Sequence, residues 1–445
     1  MNCLDFGYDC IVPATKSMRH RLSEPPPAKD AIDSILKHGA AADQLRSCPQ
    51  LLRRLRTACF LDDQNLPLFG RKRLVEQYKK DGLVLFLGAG VSIGSHVPSW
   101  PELSDALLLK SGVARAELAT VKKALPSYIA QFELAAQRLG PHGFVQEIHR
   151  GLYDNLNCKP QVERIPLSFE DQKSWGDKWD DVLKGLQANK TLATVGDFLF
   201  AYDGSTPRRN PQIHAILTSN ADNLLELYCL AKTRGRRMLT LVDRASVGEH
   251  PNHIPVYHLH GSLDARGENV FKPAADSVAP GEAQAITREL PPDLTFGESK
   301  YYETIANPFS FVNHTPESFL RRLNALFIGT SLDDLNMRRW LYDSFRERVL
   351  HRTTYLRELH ERQYLDAKYE AELASRRHFW LRPEVETDKD GRWRVPKEHV
   401  ECVMHNLGVQ VIWCTDYDDM RACIDEVRRE GDNPGFGQQP ARFPI

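Results

Sequence analysis

Polar residues that could do chemistry follow four apolar runs of this chain. After one run, a Gly-x-Gly turn and a serine can present backbone N–H groups and a hydroxyl to a diphosphate. Another run is followed by histidines, whose imidazole titrates near neutral pH and can accept a proton. The four segments are Gly88-Ala89-Gly90-Val91-Ser92, Thr218-Ser219-Asn220-Ala221-Asp222, His258-Leu259-His260-Gly261-Ser262 and Gly329-Thr330-Ser331. The first segment predicts a nucleotide site, and the other three can supply polar groups to it.

Two of these segments also have structural explanations that need no ligand. The Gly88-x-Gly90 pattern is also that of a plain tight turn. Asn220 and Asp222 can point into one cleft, but Asn and Asp equally form Asx turns and helix N-caps. For these two residues taken alone, the cap is the better explanation.

The other two segments are ambiguous in the same way. Residues 329–331 suit ribose hydroxyls, and they suit the start of a helix over 335–350 equally well. His258 and His260 stand two apart on a predicted strand and so share a face. No third cluster of metal ligands accompanies them, so we favour a proton acceptor over a metal site.

The elements that must position these segments alternate between strand and helix. Apolar runs predict strands at 83–87, 214–218, 238–241, 254–258, 325–328, 377–381 and 409–414. Helical periodicity predicts helices over 71–80, 126–156, 191–202, 335–350 and 397–407, and another that Pro101 opens near its first turn. This alternation predicts the α/β class, a doubly wound, Rossmann-like parallel sheet. Ligands of such sheets bind beyond the carboxyl ends of the strands, which is where all four segments lie.

The overall composition is that of a globular protein without a strong charge bias. The 445 residues include 58 Lys and Arg against 59 Asp and Glu, for a net charge of -1. We therefore expect no direct binding of nucleic acid and no attraction to anionic membranes. No signal peptide or membrane-spanning run is recognisable, which predicts a cytoplasmic protein. The nine cysteines contain no Cys-x-x-Cys pair, which argues against a zinc site or a disulfide framework.

Changes in pattern along the chain predict its organisation. We expect a partly helical N-terminal extension, a main domain and a C-terminal tail. The main domain should carry two loop insertions and one charged helical insertion. The basic runs at 53–56 and 71–73 are interpreted as solvated helix faces. The predicted bounds are 1–70 for the extension, 71–425 for the domain, 157–190 and 265–300 for the loops, 346–375 for the charged insertion and 426–445 for the tail.

Taken together and in this order, the four segments resemble the sirtuin (Sir2) superfamily over residues 75–420. The segment Pro98-Ser99-Trp100-Pro101-Glu102-Leu103 is similar to the Sir2-like NAD-hydrolase branch, best known from prokaryotic anti-phage immunity. Protein deacylases of the superfamily have Pro-x-Phe-Arg there and usually a four-cysteine zinc module, which this chain cannot build. Ser219 and Ala221 also depart from the deacylase motif Thr-Gln-Asn-Ile-Asp. The resemblance therefore implies a Sir2 fold that binds NAD⁺, without a zinc module or any other metal.

The resemblance also implies roles for individual residues. Asn220 would hold the nicotinamide ribose and order an attacking water, Asp222 would bind the carboxamide, and His260 would act as a general base. The residues implied in NAD⁺ binding are Gly88, Ala89, Gly90 and Ser92 at the diphosphate and ribose, Pro98 and Trp100 beside them, Gly329, Thr330 and Ser331 at the adenosine half, and Cys414, Thr415 and Asp416 flanking adenine.

The function implied is an NAD⁺ glycohydrolase that releases nicotinamide and ADP-ribose. Breaking the nicotinamide–ribose bond places positive charge on the ribose, so the site must desolvate the pyridinium and position a nucleophile at C1′. Water or the substrate's own adenine can be that nucleophile, which leaves hydrolysis and cyclisation both open. We expect a regulated, NAD-depleting effector of immunity or cell death, controlled by homo-oligomer assembly or a regulatory protein partner. The alternatives are a sensor that binds NAD or ADP-ribose without turnover and a protein deacylase.

Overall fold

The computed structural model describes residues 66–166, 171–172, 174–203, 206–242, 252–266, 294–307, 309–356, 377–384 and 397–431. The chain divides into two units, residues 1–69 and 70–445. Only residues 66–69 of the first unit are described, and they are helical. The second unit contains the main sheet and the residues singled out above.

Seven parallel strands form the main sheet, and two further strands form a small antiparallel hairpin. The strands are β1 (Leu83–Leu87), β2 (Phe200–Asp203), β3 (Thr206–Arg209), β4 (Ile213–Thr218), β5 (Leu239–Val242), β6 (Ile254–His258), β7 (Asn324–Ile328), β8 (His378–Pro383) and β9 (Val409–Cys414). The order across the main sheet is β5-β6-β4-β1-β7-β8-β9, and β2 pairs with β3 in the hairpin.

Thirteen α-helices are found among the described residues. They are α1 (Leu66–Asp81), α2 (Trp100–Lys110), α3 (Leu118–Ala124), α4 (Tyr128–Tyr153), α5 (Lys159–Val162), α6 (Lys178–Gln187), α7 (Lys190–Phe198), α8 (Leu224–Lys232), α9 (Glu298–Ala306), α10 (Phe311–Arg322), α11 (Leu335–Leu356), α12 (Lys397–His405) and α13 (Tyr417–Gly431). None of the described helices is long and apolar enough to cross a membrane.

The central strand β1 explains why the sheet is covered on both faces. All five of its residues are buried, and successive side chains point to opposite faces. Leu83, Leu85 and Leu87 join one hydrophobic core, whereas Val84 and Phe86 join another. Residues of α1, α2, α4, α7, α8 and α13 contribute to the first core, and residues of α10, α11 and α12 to the second. The prediction of a doubly wound parallel α/β sheet is confirmed.

The order of the strands creates a crevice at the carboxyl end of β1. The chain places β4 on one side of β1 and, later, β7 on the other, so β1 is the point at which the direction of winding reverses. Leu87 pairs with Thr218 of β4 and with Ile328 of β7, and Thr218 pairs with His258 of β6. The four segments of interest thus leave neighbouring strands at the same level, where doubly wound sheets bind ligands.

Several local predictions need correction. Residues 157–190, expected to be a loop, contain α5 and α6, and the buried side chains of Trp179 and Val182 anchor α6 in the core. The helix predicted over 191–202 ends at Phe198, and β2 follows it. Arg71, expected on a solvated face, forms a half-buried ion pair with Asp419 at 2.7 Å.

Other predictions fall partly or wholly outside the described residues. These are 1–65 of the N-terminal extension, 267–293 of the second loop insertion, 357–375 of the charged insertion and 432–445 of the tail. Within the described parts, α9 begins at Glu298 and α11 continues to Leu356. The start of α2 agrees with the helix predicted at Pro101, since Ser99 and Glu102 form a capping box there.

Candidate functional site

The glycine turn after β1 is folded tightly on itself. It consists of two short 3-10 turns, Ala89–Val91 and Ile93–Ser95. The backbone N–H of Gly90 donates to the Gly329 carbonyl at 2.8 Å, that of Val91 to Gly88 at 3.0 Å, and that of Ser92 to Ala89 at 2.9 Å. These N–H groups, which the sequence suggested for a diphosphate, are therefore used inside the protein.

The glycines of this turn are required by a close approach between two loops. A Cβ on Gly88 would lie 2.5 Å from the Gly329 carbonyl oxygen, and one on Gly90 would lie 2.8 Å from the Gly329 Cα. Gly329 itself has φ +68°, a left-handed conformation that favours glycine. The loops after β1 and β7 consequently touch backbone to backbone, which joins the 88–92 and 329–331 segments into one wall of the crevice.

Asn220 has all but one of its polar groups held by the protein. Its Nδ2 donates to the Gly88 carbonyl at 3.1 Å and to Ser92 Oγ at 3.3 Å. Its backbone N–H donates to Thr218 Oγ1 at 3.0 Å, and its carbonyl accepts from His258 Nδ1 at 2.8 Å. Its Oδ1 is buried and has no hydrogen-bond partner among the described residues. A buried acceptor left open in so fixed a side chain indicates a place for a ligand or water.

Asp222 combines a turn role with a free carboxylate oxygen. Its Oδ1 accepts from Ser92 Oγ at 2.9 Å and from the Leu224 backbone N–H at 3.3 Å, which is the Asx turn foreseen as the structural alternative. No described residue donates to its Oδ2. Burial raises the pKa of Asp222 to about 6, although the hydrogen bonds from Ser92 and Leu224 act in the opposite direction. The turn accounts for both hydrogen bonds that Oδ1 accepts, and Oδ2 remains open to a ligand.

The two histidines have different surroundings. His258 ends β6 and is buried, with Nδ1 against the Asn220 carbonyl and Nε2 2.6 Å from Glu226 Oε1. His260 lies in the turn beyond the strand, and its buried Nδ1 has no partner among the described residues. Burial lowers the pKa of His260, while the charge of Asp334 partly opposes that shift. His260 is therefore the histidine that is neutral and open, whereas His258 is already engaged.

Aromatic residues line the surroundings of His260. The Trp100 ring meets the His260 ring edge-on at a centroid distance of 6.3 Å. Trp100 also packs against Phe132 at 5.5 Å and Phe296 at 5.4 Å. The Thr295 backbone N–H donates to the His260 carbonyl at 3.0 Å. This arrangement gives the site one apolar wall, built from the start of α2, the beginning of α4 and the residues before α9.

The remaining predicted residues lie farther from this centre. The hydroxyls of Thr330 and Ser331 accept from the backbone N–H groups of Leu332 and Asp333, at 3.3 and 3.4 Å. Asp416 is exposed and caps α13 by accepting from the Asp419 N–H at 2.8 Å. It follows β9, three strands away from β1, which corresponds to about 14 Å across the sheet. Pro98 and Ala89 are half-buried at the rim of the glycine turn.

One positioning residue was not foreseen from the sequence. Asn189 is buried and caps α7 through the Leu192 N–H at 3.1 Å. Its Nδ2 also donates to the Val91 carbonyl at 2.8 Å and to Ser95 Oγ at 3.0 Å, which ties the glycine turn to α7. The pattern around residue 190 contains a cap signal, but nothing in the sequence indicates a partner 98 positions away.

A comparison with protein-family models identifies a known domain in the part of the chain that carries most of these residues. Residues 214–379 match the model of the SIR2-like domain. The chain contains a SIR2-like domain. The matched region of this domain runs from β4 into β8 and includes Asn220, Asp222 and His260, whereas the turn at 88–92 lies before it. A comparison with curated proteins gave no match.

The match to the SIR2-like domain supports an NAD-related function in general, because Sir2-like domains bind NAD. Within the described part of the SIR2-like domain and its flanks, no group of three or more His, Cys, Asp or Glu side chains is arranged to hold a metal ion. The crevice beside β1 is the place where the fold, the open polar atoms and the family assignment coincide.

Proposed function

We propose that this protein is an NAD⁺ glycohydrolase, which cleaves NAD⁺ into nicotinamide and ADP-ribose. One observation carries the proposal. Asn220 and His260, at the ends of neighbouring strands, each keep one buried polar atom without a partner among the described residues. Leaving such atoms unpaired costs free energy unless a ligand or water completes their hydrogen bonds. In a SIR2-like domain, the ligand with matching chemistry is NAD⁺.

Asn220 is suited to orient a ribose hydroxyl or an attacking water. Its Nδ2 is held by two hydrogen bonds, so the amide cannot turn and its Oδ1 keeps one direction. A fixed acceptor lowers the activation barrier, because it holds the reacting groups in the orientation that the reaction needs before the bond breaks. We therefore assign Asn220 to the nicotinamide ribose and the nucleophile.

His260 is suited to accept a proton. Because burial lowers its pKa, the ring is neutral at physiological pH and its open nitrogen can act as a base. A hydroxyl of the ribose or a water can deliver that proton. We therefore assign His260 as the general base.

The pyridinium side of the site combines an apolar wall with one carboxylate oxygen. The rings of Trp100, Phe132 and Phe296 exclude water, which disfavours the cationic nicotinamide of the substrate more than the neutral product. Asp222 Oδ2 is available to the nicotinamide carboxamide. These groups favour departure of nicotinamide without acid catalysis, since the leaving group is neutral once the bond is broken.

We further propose that the activity is regulated and that the protein depletes NAD⁺ in immunity or cell death. Unregulated cleavage would exhaust the NAD⁺ of the host cell itself, so a switch is required. A homo-oligomer or a regulatory protein partner would supply it. Water as nucleophile gives ADP-ribose, and adenine as nucleophile gives the cyclic product from the same cleavage step.

The test is product analysis of NAD⁺ incubated with the full chain over a series of protein concentrations. We expect nicotinamide and ADP-ribose, with release reduced about 100-fold or more in Asn220→Ala and His260→Ala. Asn406→Ala and His314→Ala change exposed residues of the same types and should retain full activity. Undiminished release in both site variants would refute the assignment. Binding of NAD⁺ without product at every concentration would instead identify a sensor.

A further inference from the structure

A buried ion pair, His258–Glu226, contacts the backbone carbonyl of the proposed catalytic residue Asn220. His258 ends β6, and its Nε2 lies 2.6 Å from Oε1 of Glu226 on α8. The His258 side chain is only 3% exposed, and that of Glu226 is 21% exposed. Neither residue has a role in the cleavage proposed above. A pair of this kind needs an explanation, because burying a charge is costly unless it is paired and hydrogen-bonded.

The partners of His258 define its protonation. Nδ1 faces a backbone carbonyl, that of Asn220, and Nε2 faces a carboxylate. Both partners are acceptors, so both ring nitrogens must donate, and only the imidazolium carries two N–H groups. Burial alone would lower the pKa of His258, but the charge and hydrogen bond of Glu226, the Asn220 carbonyl and the charge of Asp222 together raise it. Other titratable groups also interact with this cluster: Tyr153 with Asp222, Glu226 and Asp264, and Cys229 with Glu226.

The bond from His258 is one of the few restraints on Asn220. The side-chain amide is fixed from the glycine turn, by Gly88 and Ser92. The backbone is fixed from within β4, by Thr218, and from β6, by His258. Of these restraints, only the last comes from the segment that continues to His260, in the turn beyond β6. Backbone bonds on either side of Asn220, from the Leu259 N–H to the Thr218 carbonyl at 2.8 Å and from the Leu263 N–H to the Ala221 carbonyl at 2.7 Å, hold the two segments together. The bond from His258 fixes the Asn220 peptide between them and so the direction of its side chain.

We propose that Glu226 and His258 are positioning residues: Glu226 holds His258 as an imidazolium, whose Nδ1–H fixes the Asn220 carbonyl and thereby the direction of Asn220 Oδ1. The proposal rests on the function proposed above, in which Asn220 orients the reacting groups. The chemistry of the cleavage belongs to Asn220 and His260, and the pair acts through them.

Glu226→Gln tests the proposal because it keeps the shape of the side chain and removes its charge. We expect kcat to fall about 10- to 100-fold, as for a small misplacement of a catalytic group, with KM nearly unchanged. The alkaline limb of the pH profile should move toward neutral pH, since His258 then loses its second proton more readily. The matched control is Tyr228→Phe on the same helix, which removes a hydrogen bond to Asp197 outside the site and should leave kcat and the profile unchanged.

A second variant separates positioning from packing. In His258→Asn, the amide Nδ2 occupies the place of Nδ1 and can donate to the Asn220 carbonyl without needing a charge. We expect His258→Asn to retain more activity than His258→Phe, which fills the space but cannot donate. Adding Glu226→Gln to His258→Asn should then cost nothing further, because no imidazolium remains to be held.

A measurement independent of activity completes the test. The Cε1–H resonance of His258, followed by NMR on protein labelled at histidine, should show a cationic ring at neutral pH that titrates lower in Glu226→Gln. If the wild-type protein is inactive but its His258 is cationic at neutral pH, the proposed function is refuted, whereas the His258–Glu226 ion pair is confirmed. An active wild-type protein whose Glu226→Gln variant matches Tyr228→Phe in kcat, pH profile and titration would overturn the positioning role.

Discussion

At the scale of single residues, Asp222 shows a conflict between stability and function. Its carboxyl is buried, and burial raises its pKa to about 6 from an ordinary value of 3.8. The folded protein therefore holds this proton more tightly than the unfolded chain does. The stabilisation that results is present below pH 3.8 and is lost as the pH rises through about 6. At neutral pH the protein keeps a charged group in a place that disfavours charge, which is typical of functional sites.

Replacing Asp222 by Asn should relieve this cost and damage the site. The asparagine Oδ1 can still accept from Ser92 and Leu224, so the turn is preserved. We expect Asp222→Asn to be more stable than the wild type at pH 7.5 by on the order of 1–3 kcal/mol, with little gain near pH 4. Nicotinamide release should fall at the same time. Thermal unfolding at both pH values checks this, and a variant less stable than the wild type at pH 7.5 would contradict it.

At the scale of elements, Asn189 shows how a helix start can fix a loop that lies far away in sequence. One side chain caps α7 with its oxygen and holds the turn after β1 with its nitrogen. Because the Val91 carbonyl is buried with it, loss of the amide removes a cap and also leaves an acceptor without its partner.

Asn189→Ala should therefore cost more than the loss of a cap alone. We expect a destabilisation of about 2–4 kcal/mol, the sum of a lost cap and a buried unsatisfied carbonyl. Ser99→Ala, which removes only the capping box of α2, should cost about 1 kcal/mol. Denaturant unfolding of both variants measures the difference. Equal losses would mean that the bond to the glycine turn contributes nothing to stability.

The strands also show which elements can be predicted from sequence patterns and which cannot. Buried parallel strands appear as continuous apolar runs, which is why the predicted bounds of β1, β6 and β9 agree with the structure. The β2–β3 hairpin was missed because its strands have four residues each and the second is Thr-Pro-Arg-Arg, which is atypical of a strand.

The candidate site was partly predictable for a related reason. Strand ends in a parallel sheet meet at one edge, so the neighbourhood of Asn220 and His260 follows from the strand assignments alone. The partner of His258 does not follow. Glu226 stands 32 positions earlier, on a helix whose rotation relative to β6 is set by packing rather than by local sequence. Nor could the sequence indicate that the N–H groups of Gly90, Val91 and Ser92 donate to carbonyls of Gly329 and of the glycine turn itself.

At the scale of the whole molecule, the reversal of winding at β1 decides where a ligand can lie. The loops after β4, β1 and β7 open at one level, and β6 brings His260 alongside. Asp416 is the predicted site residue most distant from this centre, at the start of α13. NAD⁺ would have to extend across several strands to reach both places, with nicotinamide beside Trp100 and adenine toward β9.

Hydrogen exchange with and without ADP-ribose can map this placement over the entire chain. We expect slower exchange in the loops at the carboxyl ends of the strands, because a ligand there restricts their opening. The β2–β3 hairpin, which is not part of the main sheet, should exchange at the same rate in both states. The peptides expected to slow are those covering residues 88–95, 218–224, 258–264 and 328–333.

Two results would separate the parts of this prediction. Slower exchange at 415–417 is what the assignment of Asp416 to the adenine side requires, and unchanged exchange there would remove Asp416 from the site. A cavity of about 660 Å³ between α7 and α13, lined by Lys190, Asp197 and Arg421 among others, offers a different location. Protection confined to these two helices would place the ligand outside the crevice. Because Asn220→Ala removes the acceptor without touching α7 or α13, it should weaken protection in the first case and leave it unchanged in the second.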